Sequence, residues 1–110
     1  MSRPWPIFPE IIRKAVDLLR EAARPRQIIL FGSHARGDAR EESDVDFLVV
    51  EAAVPNRREE AVRLRDVLSP LRIPVDVIVV AEKDFEERRH WLNTPYYDAA
   101  HDGKVLYRAA

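Results

Sequence analysis

The chain has 110 residues, a formal net charge of −1 and no cysteine. This length fits a single domain over residues 1–110, the lack of cysteine excludes a disulfide framework, a thiolate zinc site and a thiol nucleophile, and the near-neutral charge argues against strong non-specific nucleic-acid binding. No apolar stretch approaches the roughly 20 residues that cross a bilayer, and Pro4 and Pro6 interrupt the start where a signal peptide needs an apolar run, so we expect no membrane insertion and a cytoplasmic protein.

The first half of the chain alternates between helical and strand patterns. Apolar residues recur at helical spacing over residues 9–23 and predict a first helix. Residues 27–31 and 45–50 are short apolar runs rich in strand formers, which predict two buried strands. Between them, residues 33–36 can start a short helix before an exposed, charged loop.

The second half shows capping, strand and turn signals in regular succession. Asn56 with Glu59 three residues later matches a capping box at the start of a helix. The predicted elements are a helix from Asn56 down to Ser69-Pro70, a strand over residues 75–80, a helix over residues 85–92, a helix that starts at Thr94-Pro95 and ends at Gly103, and a strand over residues 104–107.

The order of these elements predicts the fold class. Helix, strand, strand, helix, strand, helices and a short strand indicate an α/β (α+β) protein. We expect a small mixed β-sheet with helices packed on one face.

Two predicted strands that otherwise look fully buried contain carboxylates, Asp46 and Asp76. An ionised carboxylate in a low-dielectric core costs several kcal/mol or more unless it is paired or bound to a metal. Asp44 and Asp46 lie two residues apart at the start of one strand, so their side chains point to the same face and can share an ion. If Asp76 lies at the mouth of a neighbouring strand, the three acids suit two magnesium ions with bound phosphates.

Other interpretations of these acids stay open. Asp44 and Asp46 are also compatible with a turn cap and an arginine-paired strand end. Asp76 is also compatible with an acid on an edge strand that pairs with Arg72 or Arg36.

Gly32 and Ser33 follow a predicted buried strand and open a predicted short helix. At such a position free backbone N–H groups and the helix dipole attract an anion. Glycine permits close approach of the backbone, and the serine hydroxyl adds a donor. The succession of a phosphate-binding turn, an acid pair that opens the next strand and a third acid in a later strand favours a nucleotide site.

These residues resemble the signature of the polymerase-beta-type nucleotidyltransferase superfamily. Residues 30–37 read LFGSHARG and residues 43–46 read SDVD, so that the Gly-Ser and Asp-x-Asp motifs are separated by the ten residues 34–43, as in that superfamily. The short chain and the early arrival of Asp76 resemble the minimal nucleotidyltransferases, also called MntA-like antitoxins. The resemblance extends from the first helix to the third strand.

The resemblance implies a role for each matching residue. It implies that Gly32 and Ser33 bind the triphosphate of ATP, and that Asp44 and Asp46 hold Mg²⁺, with two ions expected. Asp76 matches the third catalytic carboxylate, which also holds metal and accepts the proton of the attacking hydroxyl.

Arg36 lies where the family often has an arginine. The resemblance implies that it fixes the loop or a phosphate, while a surface ion pair with Asp38 or Glu42 is an equal alternative.

The resemblance also implies an activity and a partner. Minimal members are encoded beside a HEPN-type ribonuclease toxin and transfer AMP from ATP to a toxin tyrosine, so we expect a hetero-complex with such a toxin, or a homo-oligomer. Two alternatives remain: a non-catalytic antitoxin that neutralises the toxin by binding alone, and a nucleotidyltransferase that acts on RNA or a small molecule.

The remaining candidate residues carry weaker signals. The histidines are scattered, and none forms a zinc-site spacing pattern with an acid or another metal ligand in the sequence, so no zinc site is predicted. They are His34, His90 and His101. Three aromatic residues near Thr94 could stack on a base, although a protein interface is slightly favoured. They are Trp91, Tyr96 and Tyr97.

Overall fold

The computed structural model describes residues 9–110, so Pro4 and Pro6 lie outside the described residues. No helix within residues 9–110 has the length and apolarity needed to span a membrane. The helices are α1 (Pro9–Ala23), α2 (Ser33–Arg36), α3 (Arg57–Leu68), α4 (Glu82–Arg88) and α5 (Pro95–Asp102). The strands are β1 (Gln27–Phe31), β2 (Val45–Glu51), β3 (Val75–Ala81) and β4 (Lys104–Arg108), and a 3₁₀ turn, Ser69–Leu71, follows α3.

Within residues 9–110 the strands form one mixed sheet in the order β3-β2-β1-β4. β2 and β3 are parallel and are connected through α3, whereas β1 is antiparallel to both β2 and β4. The mixed sheet predicted from the element order is confirmed. Because β2 and β3 are parallel, the amino-terminal ends of both strands lie at the same end of the sheet.

Apolar side chains alternate between the two faces of the sheet. Phe47 and Val49 of β2 pack against α1 and α3, while Leu48 and Val50 pack on the opposite face with Phe85 of α4 and Ala99 of α5. Burying a side chain of this size stabilises the fold by about 1.5–3 kcal/mol. Because β2 contributes such side chains to both faces, it lies at the centre of both hydrophobic clusters.

The expectation that helices cover one face needs a correction. The two long helices, α1 and α3, do lie on one face, but α4 and α5 cover the other. These helices have seven and eight residues, too few to show a clear apolar periodicity. The uninterrupted apolar run of β2 was the available signal, because strands covered on both faces do not alternate.

The position of α4 also differs from its predicted span of residues 85–92. The helix begins directly after β3 and ends at Arg88. The chain then turns, with the Trp91 amide donating to the Arg88 carbonyl at 2.9 Å and Asn93 at φ 62°. The predicted cap residues are confirmed: Asn56 Oδ1 accepts from the Glu59 amide at 3.1 Å, and Thr94 Oγ1 accepts from the Tyr97 amide at 3.3 Å.

Candidate active site

The sheet brings the predicted site residues to one of its ends. Phe31, the last residue of β1, lies opposite Asp46 in β2, and Asp46 lies opposite Asp76 in β3. Gly32 follows Phe31 directly. Asp46 therefore lies between the Gly32 turn on one side and Asp76 on the other.

Gly32 lies directly against the Asp46 carboxylate. Its φ of 77° and ψ of −158° fall in a region that is essentially restricted to glycine. A β-carbon at this position would overlap Asp46 Oδ2 and lie 3.1 Å from Asp46 Cγ. Glycine is thus required both by the backbone conformation and by the close approach of the carboxylate.

Side-chain alternation places Asp46 and Asp76 on one face. Asp46 has the same parity in β2 as Leu48, and Asp76 has the same parity in β3 as Ile78, so both point to the α4 and α5 side of the sheet. Asp44 precedes β2 by one residue and has an exposed side chain. The acids therefore lie at the end of the face that the short helices partly cover.

The electrostatics of Asp46 reflect this crowding. The pKa of Asp46 is raised from 3.8 to about 6, mainly by burial and further by repulsion from Asp76 and Asp44, whereas His34 and Arg36 oppose the increase. Like charges nearby disfavour a further negative charge. The three aspartates are therefore close enough to influence one another.

Asp76 also forms an ion pair with α3. Arg65 Nη2 lies 3.6 Å from Asp76 Oδ1, so the partner is neither Arg72 nor Arg36. Among the described residues, no group of three or more histidine, aspartate or glutamate side chains is arranged so that it could hold a metal ion. The metal roles of Asp44, Asp46 and Asp76 therefore stay predictions.

Arg36 forms the surface ion pair that was considered as its alternative role. Its Nε lies 3.4 Å from Asp38 Oδ2, and both side chains are about half exposed or more. Such exposed pairs contribute about 0–1 kcal/mol. A phosphate could therefore displace Asp38 at little cost, and the phosphate role of Arg36 stays a prediction.

The turn that begins at Gly32 is a single helical turn. The Gly32 carbonyl accepts from the Ala35 and Arg36 amides, and the Ser33 carbonyl accepts from the Gly37 amide. A helix of four residues has only a small macrodipole. Phosphate binding by Gly32 and Ser33 would therefore depend on the amide N–H groups of the first turn and on the hydroxyl.

His34 and Arg65 lie at the site although the sequence did not single them out for it. His34 is half-buried, and its Nε2 lies 3.2 Å from the Ser43 carbonyl, which joins α2 to the residue before Asp44. Its position directly after Gly32 and Ser33 was the available signal for His34. Arg65 reaches Asp76 through the packing of α3 on β3, for which the sequence carries no local signal.

The aromatic residues near Thr94 take different environments. Tyr96 packs on the hydrophobic cluster between the sheet, α4 and α5. Its hydroxyl accepts a hydrogen bond from Arg57 Nη1 at 3.0 Å. Trp91 is 47% exposed, and Tyr97 stacks on His101 with ring centroids 3.9 Å apart. Tyr96 therefore takes part in the core, and neither the interface nor the base-stacking prediction is tested.

A concavity of about 560 Å³ lies at the end of the sheet opposite to the three aspartates. It is lined by Arg20, Arg24 and Tyr107, among others, and by none of the predicted site residues. The Cζ atom of Arg20 lies over the Tyr107 ring, 4.4 Å from its centroid. The candidate active site is therefore identified by the carboxylates and the Gly32 turn, and this concavity lies outside it.

Comparison with protein families finds a match over most of the chain. Residues 12–98 match the family model described as a nucleotidyltransferase domain. A Methanocaldococcus jannaschii protein assigned as a protein adenylyltransferase is 33% identical over 99 residues, which cover 87% of this chain and 94% of that protein.

Solved structures share the fold. A toxin-antitoxin complex with AMP-PNP has a TM-score of 0.57 and 25% identity, with 88% of this chain and 73% of the other covered. A complex of the tri-AMPylated Shewanella oneidensis HEPN toxin with its MNT antitoxin has a TM-score of 0.52 and 23% identity, with 91% and 71% covered. These structures therefore have the same fold as this chain.

Proposed function

Because this chain belongs to the nucleotidyltransferase domain family, we propose that it transfers AMP from ATP to a protein hydroxyl. The acceptor is a tyrosine of a HEPN-type toxin, so the protein acts as an antitoxin. The observation that carries the proposal is the in-register placement of Asp46 and Asp76 on adjacent parallel strands, with the Gly32 backbone against Asp46.

The chemistry of the three carboxylates suits a magnesium site. Magnesium prefers oxygen ligands and binds through carboxylates together with substrate phosphates, and the mutual repulsion of Asp44, Asp46 and Asp76 is of the kind that a bound cation relieves. These three residues would hold Mg²⁺, with two ions expected. When bound, the metal would neutralise the triphosphate and polarise the α-phosphate.

The remaining residues bind substrate and handle the proton. Gly32 and Ser33 hold the triphosphate, and Arg36 exchanges Asp38 for a phosphate oxygen. In the transfer the acceptor oxygen bonds to the α-phosphorus, the bond to the bridging oxygen breaks, and pyrophosphate leaves. Asp76 accepts the proton of the hydroxyl.

The choice of a protein acceptor is supported by the relatives. The M. jannaschii protein is assigned as a protein adenylyltransferase, and the S. oneidensis complex contains an AMPylated toxin. The net charge of −1 does not favour RNA as the acceptor.

A second candidate function is neutralisation of the toxin by binding alone. The ion pair between Asp76 and Arg65 favours it, because this pair engages the third carboxylate in a contact that needs neither metal nor nucleotide. The two functions differ in whether Asp76 is needed for protection.

Coexpression with the HEPN toxin decides between them. We expect mass spectrometry to show an added AMP on the toxin with the native protein, and none with Asp76→Asn, which should still bind the toxin but no longer protect cells. Asp17→Asn, an exposed change on α1, is the matched control and should behave as native. If Asp76→Asn protects fully and the toxin mass stays unchanged throughout, the protein acts by binding alone.

A further inference from the structure

A shallow groove of about 230 Å³ runs along the outer side of β3. It is lined by Arg57, Arg58 and Ala61 of α3, residues 77–79 of β3 and Tyr96 of α5. We call this set of residues the β3-edge groove. Asp76 directly precedes residues 77–79 in the strand, so the groove leads to the third carboxylate of the site.

The backbone along this groove is that of an edge strand. Within residues 9–110, β3 pairs with β2 on one side and with no strand on the other. The outward N–H and C=O groups of an edge strand form a template for an added strand. Several protein domains bind extended peptides in this way.

The groove is positively charged. Two arginines and no carboxylate line it. Neither Arg57 nor Arg58 forms a salt bridge within residues 9–110, and the one side-chain hydrogen bond of Arg57 there is to the neutral Tyr96 hydroxyl. Both charges are therefore available to an acidic ligand.

The positive charge continues towards Asp76. Arg58, Ala61 and Arg65 are spaced three and four residues apart, so they share one face of α3. Ala61 lines the groove and Arg65 contacts Asp76, which shows that this face follows the edge of β3. At about 3.3 Å per residue, a strand of a few residues beside β3 would bring its end to the carboxylate.

We propose that the β3-edge groove binds an extended, acidic segment of the acceptor protein as an added strand, and that this segment carries the acceptor hydroxyl to Asp76. This inference rests on the proposed function. Acidic side chains on the segment pair with Arg57 and Arg58, and its backbone pairs with the outer edge of β3. The apolar residues 77–79 and the edge backbone suit a peptide better than a nucleic acid.

The test uses a fluorescein-labelled short peptide with tyrosine at its centre and glutamate alternating with valine on both sides. We expect anisotropy at low ionic strength to show binding, and the double variant Arg57→Glu/Arg58→Glu to bind about tenfold or more weakly. The matched control, Arg13→Glu/Lys14→Glu, makes the same charge change on exposed positions of α1 and should bind as native. Melting curves of both variants verify that they fold.

Two further probes test the mode of binding. A peptide with N-methylated backbone amides should bind weakly because it cannot pair with β3, and a peptide with lysine in place of glutamate should not bind. Equal binding by both double variants, or by all three peptides, would overturn the proposal. If oligouridylate binds in an Arg57- and Arg58-dependent manner and the acidic peptide does not, the groove is a nucleic-acid site.

Calorimetry of Mg-ATP binding separates this inference from the proposed function. The Arg57→Glu/Arg58→Glu variant should bind Mg-ATP as the native protein does. If the native protein fails to bind Mg-ATP, the proposed function fails whatever the peptides do. If Mg-ATP binds and the acidic peptide does not, the groove inference alone is wrong.

Discussion

At the scale of single residues, Gly32 combines an unusual backbone conformation with a close contact to a carboxylate. Gly37 also has positive φ, at 86°, but a β-carbon there would meet nothing within 4 Å. We expect Gly37→Ala to lower the free energy of unfolding by about 1–2 kcal/mol through backbone strain. Gly32→Ala should cost more and displace Asp46.

Urea unfolding and Mg-ATP calorimetry on both alanine variants check this prediction. Weak Mg-ATP binding by Gly32→Ala alone would separate the contact with Asp46 from backbone strain. Equal loss of binding in both variants would contradict a specific role for Gly32.

The acid pair leads to a second prediction at this scale. Because Asp44, Asp46 and Asp76 repel one another and the triphosphate, ATP binding should require Mg²⁺ or Mn²⁺ and disappear in chelator. Asp44→Asn/Asp46→Asn should lose metal-dependent binding without a fall in Tm, since no salt bridge within residues 9–110 involves either carboxylate. Equal ATP affinity with metal and with chelator would exclude the metal site, and a large fall in Tm would mean that the acids are structural.

At the scale of elements, α3 connects β2 to β3 and carries the residues that reach Asp76. The Asn56 side chain caps its first turn. We expect Asn56→Ala to reduce the free energy of unfolding by about 1 kcal/mol, and Asn56→Asp to keep the native value because aspartate also caps and interacts well with the helix dipole. Thermal unfolding measures both, and an equal loss in the two variants would show that the amide itself matters.

At the scale of the whole molecule, Glu51, Glu60 and Arg63 join the end of β2 to α3 and α1. Arg63 donates to both carboxylate oxygens of Glu60 at 2.7 and 2.9 Å, and to the Ala22 carbonyl at 3.0 Å. Burial, together with Glu60, raises the pKa of Glu51 to about 8, whereas the hydrogen bond from Arg63 lowers the pKa of Glu60. A protonated Glu51 can donate a hydrogen bond to Glu60, which gives the buried Oε2 of Glu51 a hydrogen-bond partner.

This cluster predicts how stability depends on pH. Since folding raises the pKa of Glu51 from 4.5 to about 8, its contribution to stability is complete below about pH 4.5 and is lost as pH rises through 8. Glu51→Gln should therefore be more stable than the native protein above pH 8, with no difference near pH 4.5. A gain of about 1 kcal/mol would raise Tm by about 4–8 °C.

Melting curves between pH 4.5 and 9 measure the difference. The exposed Glu87→Gln is the matched control and should follow the native curve at every pH. A Glu51→Gln curve parallel to the native one would contradict a shifted pKa at Glu51.

Much of the fold could be predicted because its signals are local. The span of α1 and the caps at Asn56 and Thr94 depend on residues within one or two helical turns, and all of these predictions are confirmed. The second helical layer could not be predicted, because Phe85 and Ala99 are single apolar residues whose burial depends on the opposite face of the sheet.

By itself the sequence determined which residues are chemically suited to the site. The Gly-Ser turn and the Asp-x-Asp pair are close in sequence, and the antiparallel pairing of β1 with β2 brings them together. The tertiary structure decided which other residues lie beside this turn and this acid pair. The register of β2 with β3 places Asp76 beside Asp46, and the packing of α3 brings Arg65 to Asp76 and Arg57 and Arg58 to the edge of β3. These contacts join segments about 10 to 30 residues apart. They depend on the register of β2 with β3, which is specified because a slip of one residue would turn every side chain of a strand to the other face.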